Sequence, residues 1–123
     1  MRVGDFLLAQ ASNRAPWNCS TLAADWCMAL GHPDFAEEWR EVTDEAECAA
    51  VAADGLVPLW DIGICDALPV VEGELEAGDI AVVSAHGMEA GAIWTGERWA
   101  MRLPRGILCA APDAVSVAKA WRP

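Results

Sequence analysis

Apolar positions recur at helical spacing in the first half of the chain and in short alternating or continuous runs in the second. Val3 to Gln10 predicts a short helix with Phe6, Leu7 and Leu8 inward; its pattern fades at Ser12-Asn13-Arg14, before Pro16. Leu22, Trp26, Ala29 and Leu30 mark a second helix that Gly31 ends and that packs against the first, with Asn18 and Ser20 as capping types at its start. Gly31-His32-Pro33-Asp34 reads as a turn, after which Phe35 to Arg40 resumes helical spacing. Thr43 caps a helix to about Ala53 whose Ala46, Ala49, Ala50, Val51 and Ala53 form a small-residue face suited to close packing. Leu56 to Asp61 adds a short turn of helix, and Ile62 to Leu75 reads as a connecting loop. From Gly78 the period shortens. Ile80 to Val83, Ala90 to Trp94, Arg98 to Leu103 and Ile107 to Cys109 predict an antiparallel meander, with a tight hairpin at Thr95-Gly96-Glu97. The segment from Pro112 to Trp121 fits either a turn of helix or a final strand. Helices first and a small sheet second define an α+β domain.

The 123 residues suffice for one domain spanning 1–123, which buries roughly two-thirds of its unfolded-chain surface. Seven Trp and no Tyr make the aromatic mass almost all indole, which needs N–H acceptors or surface access. At least one indole is expected beneath a partner chain, and Trp99 and Trp121, beside Arg residues near segment ends, are the candidates. A formal charge of −11 argues against nucleic-acid partners, because a phosphate backbone repels it. No apolar window reaches the roughly 18 residues of a membrane span, and the first residues lack the order of a signal peptide, so synthesis in a cytoplasm is expected.

Five cysteines, Cys19, Cys27, Cys48, Cys65 and Cys109, include no Cys-x-x-Cys pair, so neither zinc nor another cofactor is expected. Cys19 and Cys27, on one helix, stand roughly 12 Å apart along its axis and cannot pair. Cys27, Cys48, Cys65 and Cys109 read as buried free thiols. Cys19 differs: it stands where an irregular segment becomes a helix, and free N–H groups there favour a thiolate and lower the thiol pKa below its usual roughly 8.5. It is the candidate nucleophile. Of the two histidines, His32 lies thirteen positions on, roughly 18–20 Å away along a helix, and reads as a helix C-terminal residue. His86 is the weak candidate base, in a loop between two strands.

Asn18-Cys19-Ser20-x-Leu22, with a helix closing at Gly31, resembles the helix start of the NlpC-type cell-wall peptidases, small papain-like enzymes. Leu75-Glu76-Ala77-Gly78-Asp79-Ile80 resembles the opening of their first strand, and Ala90-Gly91-Ala92-Ile93-Trp94-Thr95-Gly96 their next. With the closing Ala120-Trp121-Arg122, the likeness is closer still to a small phage-tail family related to those peptidases. The resemblance implies N-terminal helices packed on a small antiparallel sheet. It also implies a catalytic histidine at the position matched here by Ala90. Glu89 is nearer in register than His86, but a carboxylate raises a thiol pKa by like-charge repulsion. Two functions follow from the resemblance. One is a structural component of a phage tail tip or baseplate on a degenerate peptidase fold, contacting other tail proteins and residing in the virion tail. The other is a cysteine peptidase or amidase acting on peptidoglycan, with Cys19 as nucleophile and His86 as base. The missing histidine favours the first.

Overall fold

The computed structural model describes residues 1–123. Helix α1, Val3–Ala11, buries Phe6 and Leu7 but leaves Leu8 76% exposed, contrary to the inward position read for it. Steps of about 100° per residue carry a third consecutive side chain off the core-facing stripe. The Phe6 ring lies 5.2 Å from Trp26 of α2, Thr21–Ala29, so the two helices pack as their patterns predict. Gly31, at φ +93°, ends α2: its N–H donates to Met28 O, and that of His32 to Cys27 O at 2.9 Å. Only glycine adopts this backbone cheaply, which is why the helix stops there.

Phe35 to Arg40 is a run of turns rather than the expected helix. The Asp34 carboxylate accepts the Ala36 N–H, and bonds from Trp39 N–H to Ala36 O and Val42 N–H to Trp39 O keep the turns tight. Arg40 bridges Asp34 at 2.7 Å and Asp25 of α2 at 2.8 Å, pinning this segment to the helix.

Helix α3, Glu45–Val51, is capped by Asp44 rather than Thr43, with the Asp44 carboxylate accepting from the N–H groups of Ala46 and Glu47. None of its residues is buried, so the close packing expected of its small-residue face does not occur. Helix α4, Leu56–Ile64, runs past Asp61 and takes Ile62 to Ile64 from the predicted loop. Pro58 falls in its first turn, where a missing N–H costs nothing. Gly63 sits in the last turn because a Cβ there would lie 2.1 Å from Phe35 O.

The second half forms an antiparallel sheet ordered β4-β3-β2-β1-β5. Its strands are β1 Ile80–Ala85, β2 Met88–Trp94, β3 Trp99–Leu103, β4 Gly106–Ala110 and β5 Ser116–Trp121. The last segment is thus a strand, paired with β1 through Ile80 and Trp121, after a short 3-10 turn at Pro112–Ala114. Between β1 and β2 the register runs to Ala85 opposite Met88, leaving His86-Gly87 as a two-residue turn with φ of +53° and +77°.

Both faces of the sheet carry buried side chains. Ile80, Val82, Ile93, Ala100 and Trp121 join the helices in the larger core cluster, while Ala81, Val83, Ala92, Trp99 and Ala120 form a smaller one on the opposite face. Trp99 and Trp121 are each 1% exposed, so the chain's own core covers the two indoles expected at an interface. Trp121 packs on Trp60 and Trp99 on Trp94, which satisfies their apolar surface within the domain. Trp17 and Trp94 remain only half-buried. No helix is long and apolar enough to cross a membrane.

Candidate functional site

Asn18, read as a helix cap, instead ties the segment ahead of α2 to the turns behind it. Its side-chain amide donates to Trp39 O at 2.9 Å and Val42 O at 3.0 Å, and its carbonyl Oδ1 accepts the Ser20 N–H. Ser20 Oγ accepts from the buried Trp60 indole N–H at 2.9 Å. These bonds of its two buried neighbours hold the backbone at Cys19 in place. Its own carbonyl accepts the Gly91 N–H at 3.0 Å, joining the start of α2 to strand β2. Gly91 makes that approach possible: a Cβ there would lie 2.4 Å from Cys19 O and 2.6 Å from the Trp60 ring.

Cys19 is half-buried and lines a cleft of about 730 Å³. Trp17, Cys48, Leu56, Met88 and Glu89 share its walls, and Cys48 stands on the inner side of α3. Burial pushes the Cys19 thiol above its ordinary pKa, Cys48 adds to that and Glu89 adds least, against a partial lowering from Ser20 and from Cys19's own backbone. The helix start therefore does not activate this thiol as its position in the sequence suggests. Dehydration of the anion exceeds what a few oriented N–H groups return.

Strand alternation decides which residue of β2 addresses the cleft. Val83 and Ala92 lie in the cluster on the face opposite the helices, and Ala90 pairs with Val83, so Ala90 points away from Cys19. Glu89 and Gly91 point to the helix side. A histidine at position 90 would face the wrong way, and position 89 is where a base would meet Cys19. Glu89 occupies that place, and its Oε1 accepts the Leu56 N–H at 2.9 Å at the start of α4.

The histidines are elsewhere. His86 is exposed at the tip of the β1–β2 turn, three residues from Glu89 and about 10 Å along the strand. The structure does not bring it to Cys19. His32 follows the end of α2, as its spacing predicts. Of the thiols read as buried, only Cys27 is fully so; Cys48 is half-buried, and Cys65 and Cys109 are exposed. Nowhere do three His, Cys, Asp or Glu residues gather as a metal site would require. Sequence reasoning passed over Cys48 and Trp17 as parts of the site. Trp17 adjoins Asn18, a signal that was available; Cys48, on a separate helix, has no local cue.

The result is an α+β domain whose distinguishing site is a thiol-lined cleft where the start of α2 meets β2. The chain belongs to the family described as a domain of unknown function, DUF6950, whose profile matches residues 2–123. No curated protein and no solved structure matches it.

Proposed function

We propose that this chain is a non-catalytic domain of the papain-like, NlpC-type fold that serves as a structural component of a phage or phage-like tail tip or baseplate. The observation that carries the loss of catalysis is the cleft itself. It holds a thiol whose pKa is raised, and beside it a carboxylate already engaged by the Leu56 N–H, with both histidines outside. Cysteine hydrolysis needs a base that takes the thiol proton and returns it to the leaving group, whereas here burial favours the protonated thiol and Glu89 adds a small increment in the same direction. The resemblance of the Asn18-Cys19-Ser20 and Gly78-Asp79 segments supports the fold assignment, and the helix start lying against the sheet is consistent with it. The charge of −11 and the half-buried Trp17 at the cleft suit contacts with other tail proteins.

Cys19 at the wall of an open cleft favours the second reading, a peptidoglycan peptidase or amidase. One pair of assays separates them. Purified protein incubated with peptidoglycan is expected to release no peptide fragments, and His86→Ala to leave iodoacetamide labelling of Cys19 unchanged. Fragment release abolished by both Cys19→Ala and His86→Ala would establish the hydrolase and overturn the scaffold. The tail assignment is tested by immunogold labelling of intact particles: label at the tail tip or baseplate is expected, and its absence from particles would remove that role.

A further inference from the structure

Cys48 Sγ donates to Val42 O at 3.3 Å, and the Asn18 amide donates to the same oxygen at 3.0 Å. One carbonyl thus receives both Cys48 and the neighbour of Cys19. The two cysteines also share the walls of a small cavity of about 10 Å³, no larger than one water molecule needs, besides sharing the main cleft. The supports of the two residues differ. Cys19 is fixed by the buried hydrogen bonds of Asn18 and Ser20, whereas Cys48 rides on a seven-residue helix none of whose residues is buried. A helix with so few buried contacts shifts at low cost.

We propose that Cys19 and Cys48 form a dithiol modification site, which a small-molecule disulfide oxidises to an intramolecular disulfide that fastens α3 across the cleft. The Cys48 thiolate, on the exposed helix, attacks the reagent disulfide and displaces one of its thiolates, forming a mixed disulfide. The Cys19 thiolate then attacks the Cys48 sulfur and expels the second. The protein loses two protons and two electrons, and the reagent is reduced to two thiols. Burial and the neighbouring acids raise both thiol pKa values, so the exchange accelerates as pH rises toward the ordinary thiol range. This inference rests on cleft geometry and stands whether or not the protein hydrolyses peptidoglycan.

The test treats the protein with oxidised glutathione at mildly alkaline pH and maps the products after cleavage at Asp and Glu, which places each of the five cysteines on its own peptide. The expected product has lost two hydrogen atoms and joins the Cys19 and Cys48 peptides. It persists in a Cys65→Ser, Cys109→Ser variant and disappears in Cys48→Ser. Amide exchange in α3 is expected to slow about tenfold on oxidation. Separate glutathione adducts on Cys19 and Cys48 without the joined peptides, or links made only through Cys65 or Cys109, would overturn the site. Unchanged exchange in a fully linked sample would overturn the fastening of α3.

Discussion

The two ends of the β1–β2 ladder are built on opposite terms. At the end where β1 begins, Asp79 is 1% exposed and its carboxylate takes two hydrogen bonds from Arg122 and one from the Glu76 N–H, all within 2.9 Å. The Trp26 indole N–H donates to Gly78 O at 2.8 Å, and its ring packs on Phe6. The Arg122 and Trp26 bonds come from distant segments, and the Glu76 bond closes the turn before β1. At the end toward the turn, β2 meets the start of α2 through a single backbone bond, and the elements around it enclose a cleft instead of filling it. Charge at the first end is consumed in holding the chain together. At the second, Glu89 keeps one oxygen on Leu56 while its charge still acts on Cys19. The site is found where the packing leaves room, next to a strand whose position the closed end secures.

This contrast is broken most severely at the closed end. Trp26→Ala removes a buried ring and its hydrogen bond, and is expected to cost about 3–5 kcal/mol in urea unfolding. A loss below about 1 kcal/mol would show that the closed end is not the anchor. Next in size is Gly91→Ala, whose methyl collides with both Cys19 O and the Trp60 ring, at about 1–3 kcal/mol by the same measurement. Should it prove neutral, the tight approach of β2 to α2 would be wrong. Smallest in stability is Glu89→Gln, which keeps an acceptor for Leu56 and changes unfolding by no more than about 0.5 kcal/mol. Its effect is on the thiol. In the native protein the midpoint of Cys19 labelling against pH is expected above that of an ordinary thiol, chiefly from burial, and removing the negative charge is expected to move it slightly down. A midpoint that stays or rises would place Glu89 outside the cleft's electrostatics.

Local signals made much of this legible. Pro16 and Gly31 bracket the helix behind Cys19, because each removes a conformation the helix needs, and Gly78 with the apolar run after it marks β1. Fold class followed from those breaks. What the pattern could not supply were facts set by contacts between distant segments. Gly63 resembles a loop breaker until Phe35 is seen to press on it. Trp99 and Trp121 look like surface anchors until the sheet folds them inward. The choice between Glu89 and Ala90 turns on a one-residue change of strand face, which only the packing of Gly91 against Cys19 resolves. The pairing of Asp79 with Arg122 spans 43 residues and leaves no local trace at either position.

The place of β5 in the sheet governs when this protein can fold during its synthesis. Trp121 fills the core against Trp60 and pairs with Ile80 on β1, so the larger core stays incomplete until β5 has emerged from the ribosome. Four helices and four strands emerge before their last apolar partner does. From the emergence of β1 until that of β5 the nascent chain therefore carries Trp60, Ile80 and Val82 without Trp121, and its exposure to aggregation and to chaperones in that interval ends only when the last strand docks.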